Sequence, residues 1–189
     1  MSIWNKLLYF LRIRRRELTS RLLNQDEEAL ARQVFQDQLP YGRISIANFY
    51  LPGNEAHKTA VTVASGTALI PIKSLTDYTI YFGPDVFRDG AHLFKRNTFI
   101  HELTHVWQGH HGTFSWDYMV ESMIAQGRAL IQHRDRNKAY EYDLANLQPW
   151  DSYNVEQQAI IVEGWFENGM SESDPRYVYI RDNIRAGRD

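Results

Sequence analysis

The sequence predicts an α+β fold in which a small sheet packs against helices. Three observations support this prediction: helical spacing of apolar residues in segment 1–40, short β-branched and aromatic runs in segment 41–83, and helical spacing again in segment 93–189. The chain has 189 residues, of which 43% are hydrophobic, and no repeat or low-complexity stretch divides it. This length and composition suit one domain with a sizeable core, so we predict a single domain over residues 1–189.

The first segment begins with an amphipathic helix that has a basic end. Its apolar stripe consists of Trp4, Leu7, Leu8 and Leu11, and its basic end consists of Arg12, Arg14, Arg15 and Arg16. Such a helix either packs on its own domain with solvated arginines, or docks on a membrane surface or a partner protein. A second helix is predicted to begin near Asp26 and to end before Pro40, because a proline disfavours helical conformation in the residue before it.

The middle segment contains the predicted sheet, and the last segment contains most of the predicted helices. Three or four short strands of a mixed or antiparallel sheet are predicted over residues 43–51, 59–65, 68–72 and 78–83. They are rich in β-branched and aromatic residues and are separated by Gly, Pro, Asn or Ser. The later helices are predicted over about 93–110, 116–132, 154–168 and 175–186.

The overall charge and composition exclude several classes of protein. The formal net charge of −2 provides no general attraction to nucleic acid, so we expect no nucleic-acid partner. No apolar run approaches the roughly 20 residues that cross a bilayer, so we expect no membrane span. The N-terminus lacks a leading basic region and a cleavage site, which predicts no signal peptide and synthesis in the cytoplasm. Cysteine is absent, so any zinc site must use His, Glu or Asp.

The stretch TFIHELTHVW, residues 98–107, lies within the helix predicted at 93–110. Residues four apart on an α-helix differ by about 40° in azimuth, so His101 and His105 point in the same direction one turn apart. Two imidazoles in this arrangement can bind one metal ion, and zinc accepts histidine nitrogen at about 2.0–2.1 Å. Glu102 lies about 100° round the helix from His101. It is predicted to reach a water on the metal as a general base without being a ligand.

Chance is the competing explanation of this motif. A five-residue pattern with three fixed positions also arises by accident, and a lone buried histidine is usually just hydrogen-bonded. The remaining residues of the stretch are uncharged, which predicts that the helix is buried. Two histidines and a glutamate in a buried helix need partners, and a bound metal provides one. The metal interpretation is therefore favoured.

A catalytic zinc needs a third protein ligand, and two glutamates are the main candidates. Glu121 lines up with Asp117 and Arg128 on a face that has the character of a solvated surface. Glu156 follows Asn154 in the first turn of a helix and has apolar axial neighbours, so it should point inward and need a charge partner. The helix dipole alone would also favour an acid there. The predicted metal ligands are His101, His105 and Glu156. The alternatives to Glu156 that stay open are Glu121, Asp143, Glu163 or another histidine.

One zinc ion held in this way predicts hydrolysis of an amide. The metal lowers the pKa of its water towards about 7, Glu102 takes the proton, and the resulting hydroxide attacks a carbonyl polarised by the metal. The oxyanion that forms needs a hydrogen-bond donor besides the metal. The local candidates, which the sequence ranks poorly, are Tyr140, Tyr142, Tyr153, His110 and His111. We assign Tyr142, and the two adjacent histidines are otherwise explained as a surface turn at a helix end.

Three stretches between residues 81 and 166 together resemble a known family. They are TFIHELTHVWQ, AYEYDL and YNVEQQAIIVEGWF. They resemble a bacterial group of small HExxH metallopeptidases with a gluzincin-like site, whose members are effector domains fused to type VI secretion spike proteins or linked with Rhs-type toxins. The resemblance implies a zincin-like fold, zinc ligands at His101, His105 and Glu156, and a catalytic base at Glu102. No stretch before Tyr78 contributes to this resemblance.

The resemblance also implies a biological role. The predicted function is that of a zinc-dependent metallopeptidase hydrolysing peptide bonds, as an antibacterial effector or toxin in the cell envelope. The implied partners are a peptide or protein substrate, a secretion spike or adaptor, and an immunity protein, and a contractile secretion system would deliver the chain into a target-cell periplasm. The N-terminal helix would then be a loading element. In zincin-like folds a sheet edge aligns extended substrate, so the strand at 78–83, which directly precedes the site, is predicted as that edge.

Two other functions fit the same sequence. In the first, the chain is a non-catalytic zinc-stapled interaction protein in which a closed coordination shell joins helices and the basic N-terminal helix binds a partner. In the second, the chain is an interaction module and the HExxH motif is accidental. Zinc content separates the second from the metal-dependent functions, and loss of hydrolysis on replacing Glu102 separates the enzyme from the first.

Overall fold

The computed structural model describes residues 20–50, 60–65, 76–112 and 141–188. Within these ranges the chain forms a four-stranded sheet with both parallel and antiparallel pairs, and helices pack against it. The predicted α+β class and the predicted small mixed sheet are confirmed. The predicted helices at 4–16 and 116–132 and the predicted strand at 68–72 lie outside the described residues.

The sheet combines strands from three parts of the chain. Its strands are β1 (Ser20–Leu22), β2 (Ile44–Ala47), β3 (Thr62–Ser65) and β4 (Asp77–Tyr81). Their order is β1-β2-β4-β3, in which β2 and β4 are parallel and the two outer pairs are antiparallel. Ile44, Ile46, Tyr78 and Ile80 are fully buried. Alternate residues of the two central strands therefore face the core, as the two-residue period of a strand requires.

Two features of the sheet differ from the expectation. β1 was not predicted, because three residues are too few to show the alternation that marks a strand. The prediction that the strand at 78–83 forms a sheet edge is wrong, since β4 lies between β2 and β3 and pairs with both. Adjacency in sequence to the metal-motif helix does not fix the hydrogen-bonding neighbours of a strand. Among the described strands, β1 and β3 are the edges.

The predicted helices of the described residues are largely present. The helices of the described residues are α1 (Gln25–Phe35), α2 (Pro84–Asp89), α3 (Ala91–Phe94), α4 (Arg96–His111), α5 (Val155–Glu167) and α6 (Tyr177–Tyr179), which continues into a π-helical turn (Ile180–Ile184). α2 was not predicted. Lys95, with φ −142° and ψ 49°, separates α3 from α4, so the motif helix begins later than predicted. The helix expected at 175–186 is instead a short α-helix followed by the π-helical turn.

The motif helix α4 is largely buried. It packs against α5 on one side and contacts β3 on another. Leu103, Val106 and Trp107 of α4 and Ile161 of α5 are fully buried in the shared core. The Trp107 indole donates a hydrogen bond of 3.0 Å to the carbonyl of Ile184, which joins α4 to the C-terminal turn. Within the described parts of the chain, no helix combines the length and the apolarity needed to cross a bilayer.

Candidate metal centre

The two histidines of the HExxH motif lie side by side on α4. Their ring centroids are 4.9 Å apart, and the rings meet edge to face. His105 is buried, and His101 keeps a small exposed fraction of 12% of its side chain. The i, i+4 spacing on a straight helix therefore produces the arrangement that the sequence predicted. One side of the imidazole pair remains accessible from outside the core.

Glu156 meets this pair from the start of α5. Its Oε2 lies 3.4 Å from Nε2 of His101 and 3.6 Å from Nε2 of His105, and the residue is 3% exposed. One ligand atom from each of the three residues lies within 4.8 Å of the others. The structure thus brings together the three residues that the sequence predicted as ligands, although Glu156 lies more than fifty positions after His105.

The start of α5 is held by a reciprocal cap. The Asn154 side chain accepts hydrogen bonds from the amides of Glu156 and Gln157 at 2.9 and 3.0 Å, and the Gln157 side chain accepts from the Asn154 amide at 3.1 Å. This is the capping box that the spacing of these residues predicted. Because the cap fixes the first turn, it also fixes the direction in which Glu156 leaves the helix.

A second glutamate of α5 contacts the other nitrogen of His101. Oε2 of Glu163 lies 3.0 Å from Nδ1 of His101. Glu163 follows Glu156 by seven residues, which is about two helical turns, so both acids leave α5 on the same side. The sequence left Glu163 open as a third ligand, whereas its contact in the structure is with the far side of the imidazole. That contact places the Nδ1 proton towards Glu163 and presents Nε2 to Glu156.

His105 is oriented by an amide instead of a carboxylate. Its Nδ1 lies 2.7 Å from Oε1 of Gln108, one turn further along α4. An amide oxygen only accepts hydrogen bonds, so the Nδ1 of His105 is the donor and Nε2 faces Glu156. Both imidazoles therefore turn the same nitrogen towards the same carboxylate. Gln108 was not predicted from the sequence, although its position three residues after His105 places it within reach on the helix surface.

The charges around the imidazoles favour a cation between them. Burial alone would lower the pKa of His101, but hydrogen bonds to Glu156 and Glu163 and the charge of Glu102 raise it to about 10. Three carboxylates thus surround two imidazoles in a buried setting. Two histidine nitrogens and one carboxylate oxygen are ligand types that zinc prefers, and they leave a position for a further ligand. The donor set therefore fits a catalytic zinc ion.

Glu102 is buried beside the pair and is held by the sheet. It is 5% exposed, and its Oε2 accepts a hydrogen bond of 2.6 Å from the hydroxyl of Thr62. Thr62 begins β3, so the strand that borders the motif helix is β3 and not the predicted strand at 78–83. Nothing in the strand sequence distinguishes Thr62 from its neighbours. The contact spans 40 positions and becomes visible only in the folded chain.

The other predicted side chains lie in different surroundings. Tyr142 is half-buried, and Nη1 of Arg176 lies 3.5 Å from its hydroxyl. The Tyr153 hydroxyl accepts from the Gln148 amide at 2.8 Å, and Asp143 is exposed and accepts from the Ala145 amide. These contacts do not involve the imidazole pair, so the roles of these side chains as oxyanion donor or ligand stay predictions. Glu121 and Tyr140 lie outside the described residues.

The histidine pair at the end of α4 is separate from the three-residue cluster. Nδ1 of His111 lies 3.0 Å from the carbonyl of Trp107, and its Nε2 lies 3.3 Å from Oε1 of Gln38. The ring also stacks on Trp107 at a centroid distance of 4.7 Å. His110 and His111 end α4 as residues of its last turn, as the alternative explanation of the pair proposed. His111 therefore contacts a carbonyl of the last turn of α4.

Comparison with known proteins shows that this chain is similar to a curated protein and to a solved structure. Over 177 residues the chain is 28% identical to the type VI secretion system spike protein VgrG2b of Pseudomonas aeruginosa, a match that covers 88% of this chain and 15% of that protein. The solved structure of the effector domain of Pseudomonas aeruginosa VgrG2b is 27% identical, with a TM-score of 0.60 over 85% of this chain and 82% of that one. No protein-family model matches. The similarity extends well beyond residues 81–166.

Proposed function

We propose that this chain is a type VI secretion effector that hydrolyses peptide bonds with the help of one zinc ion. The similarity to an effector domain supports the first part. The second part rests on one observation: Nε2 of His101 and Nε2 of His105 both face the carboxylate of Glu156, while each Nδ1 is held by an acceptor on the opposite side. Metal ligands of the HExxH type need this arrangement of imidazole nitrogens.

His101, His105 and Glu156 would hold the ion. When bound, zinc supplies Lewis acidity, which polarises a substrate carbonyl and makes water more acidic. Two neutral imidazoles and one carboxylate leave a net positive charge on the filled site. Glu163 and Glu102 lie close enough to balance that charge, as the electrostatic effect of both carboxylates on His101 indicates.

Glu102 is the proposed general base. Its Oε2 is held by the Thr62 hydroxyl, so Oε1 is the oxygen that we assign to the proton of the attacking water. A carboxylate fixed in this way does not need to reorganise when it accepts the proton. Thr62 thereby connects β3 to the proposed general base. We also propose that β3, and not the strand at 78–83, aligns an extended substrate.

Tyr142 remains our proposal for the donor to the oxyanion. Because Arg176 donates to the Tyr142 oxygen, the phenolic proton is available to donate elsewhere. Removal of such a donor costs catalysis about 100-fold or more. The comparison of Tyr142→Phe with Tyr153→Phe tests the choice between the two described tyrosines.

The proposed biological role is that of a toxin acting on a peptide-bearing target in the envelope of another bacterium. Its proposed partners are a secretion spike or adaptor and an immunity protein, and its proposed site of action is the target-cell periplasm. The name of the similar protein, a type VI secretion spike, supports this role. The segment 4–16, for which the sequence predicts a helix, is the proposed loading element, and unchanged secretion after deletion of residues 1–20 would exclude it.

The Glu102→Gln variant tests the enzymatic proposal. It preserves the shape of the side chain and the contact to Thr62 but removes the base, so we expect unchanged zinc content and unchanged thermal stability. We also expect loss of toxicity when the chain is directed to the periplasm of a sensitive cell, and loss of peptide hydrolysis. Full toxicity of a zinc-loaded Glu102→Gln variant would instead favour a non-catalytic zinc-stapled interaction protein.

A further inference from the structure

Two buried glutamines connect His105 to the main chain at the beginning of α5. Oε1 of Gln108 accepts the hydrogen bond from Nδ1 of His105 at 2.7 Å. Nε2 of Gln108 donates to the carbonyl of Val155 and to Oε1 of Gln158, both at 2.9 Å. Nε2 of Gln158 donates to the carbonyl of Trp150 at 3.2 Å. The chain of contacts therefore runs from an imidazole through two amides to two backbone carbonyls.

The two carbonyls determine which way each amide points. A backbone carbonyl only accepts hydrogen bonds, so the Trp150 carbonyl requires the nitrogen end of the Gln158 amide. The Val155 carbonyl requires the nitrogen end of the Gln108 amide in the same way. Turning the Gln108 amide round would bring two oxygens to 2.9 Å of each other in a buried site. Such a contact would leave buried acceptors unsatisfied, which is costly.

The direction of the amides fixes the proton of the imidazole. With Oε1 of Gln108 pointing at His105, Nδ1 must carry the proton, and a neutral imidazole then has its lone pair on Nε2. Nε2 is the nitrogen that lies 3.6 Å from Oε2 of Glu156. The opposite tautomer would direct an N–H at the position where a metal is to be bound. The tautomer of His105 is thus set by two residues that are not among the proposed metal ligands.

We infer that Gln108 and Gln158 are positioning residues that hold His105 in its metal-binding tautomer and thereby set the affinity of the site. This inference rests on the proposed function, because it assigns the two amides a role towards the proposed zinc ion. His105, Gln108 and Gln158 are each less than 7% exposed, so water does not compete for these hydrogen bonds. Residues that orient a metal ligand in this way typically change metal affinity by about 10- to 100-fold.

The experiment compares three variants of the 189-residue chain. Gln108→Met removes the acceptor of the Nδ1 proton at similar volume. Gln158→Met removes one of the two acceptors that orient the Gln108 amide. Gln148→Met makes the same exchange at an exposed glutamine near the beginning of α5 and serves as the control. Zinc affinity is measured by competition with a chelator, and the position of the imidazole protons is measured by nitrogen NMR of the metal-free protein.

The two readouts separate the inference from the proposed function. We expect the His105 proton on Nδ1 in the wild type and in Gln148→Met, with zinc affinities close to each other. We expect mixed tautomers and an affinity about 10- to 100-fold lower in Gln108→Met. A smaller loss is expected in Gln158→Met, since the Val155 carbonyl still holds the first amide.

Several results would overturn the inference. They are a wild-type proton on Nε2, or a folded Gln108→Met variant with its proton still on Nδ1 and its affinity unchanged. If Gln108→Met does not fold, a folded Gln158→Met variant with unchanged zinc affinity overturns the inference instead. A wild-type chain that binds no zinc refutes the proposed function, while the NMR spectrum still decides whether the amides fix the tautomer.

Discussion

Two helices of this protein begin in the same way but use their first turns differently. α1 and α5 each start with an asparagine that caps the helix, and each cap is a reciprocal capping box. Each helix also carries a buried glutamate in its first turn, Glu27 in α1 and Glu156 in α5. A buried carboxylate is costly unless charges or hydrogen bonds compensate it. The kind of compensation therefore indicates what each glutamate is for.

Glu27 is compensated within the fold. Its two oxygens accept a bidentate pair of hydrogen bonds from Arg21 at 2.7 and 2.9 Å, and further bonds from the amides of Asn24 and Ala91. Burial would raise the pKa of Glu27, but these donors together lower it below the ordinary value of 4.5. The carboxylate joins β1, α1 and α3. It is a structural group.

Glu156 faces two imidazoles instead of a guanidinium. An arginine keeps its charge at any relevant pH, whereas an imidazole can exchange its proton for a metal ion. Each imidazole is also anchored from behind, His101 by Glu163 and His105 by Gln108. The same capping box with a first-turn glutamate therefore accompanies a structural carboxylate in α1 and a proposed metal ligand in α5. The difference lies in the partner that the tertiary fold supplies.

The largest expected effect of replacing one of these two first-turn glutamates is on metal affinity. Glu156→Gln should lower zinc affinity by more than about 100-fold, because a neutral amide oxygen then replaces a charged carboxylate ligand. The loss of a ligand should cost more affinity than the loss of a residue that only orients a ligand. Glu27→Gln, the same exchange at the other helix start, should leave zinc affinity unchanged. Competition with a chromophoric chelator measures both variants, and a Glu156→Gln variant that binds zinc as tightly as the wild type would remove Glu156 from the ligand set.

The next effect concerns stability and its pH dependence. Glu27→Gln should lower the free energy of unfolding of the metal-free chain by about 2 kcal/mol at neutral pH, since it breaks charge-assisted hydrogen bonds to Arg21. Because the folded-state pKa of Glu27 is lowered, its contribution is present above pH 4.5 and is lost as the pH falls through the lower folded-state value. Denaturant unfolding at several pH values should show the two chains converging in acid. A constant difference would contradict this assignment.

The smallest expected effect is at the anchor of His101. Glu163→Ala should lower zinc affinity by about 10-fold, because it removes the acceptor that holds the Nδ1 proton. Glu163→Gln is the matched variant, since its amide oxygen can still accept that proton, and its affinity should stay closer to that of the wild type. Equal losses in both variants would show that the charge of Glu163, and not its hydrogen bond, matters.

Local periodicity predicted the parts of the site that lie within single helices. The four-residue spacing of His101 and His105 placed them on one face, and the cap at Asn154 with apolar neighbours turned Glu156 inward. Both inferences use only a few consecutive residues, so a sequence contains what they need. The structure brings these three side chains together.

The contacts that span distant parts of the chain were not predictable in the same way. Thr62 reaches Glu102 across 40 positions, and His101 reaches Glu163 across 62. These contacts depend on how β3 and α5 dock on α4. The edge position assigned to the strand at 78–83 failed for the same reason, because the order β1-β2-β4-β3 is set by pairing between strands from separate segments.

The zinc content of the purified 189-residue chain is the decisive measurement for the proposed metal centre. Plasma mass spectrometry should find one zinc ion per wild-type chain after mild preparation, and almost none in a folded variant that carries both His101→Ala and His105→Ala. A wild type with clearly less than one ion per chain, or a double variant that keeps its zinc, would contradict the metal centre that these residues are proposed to form.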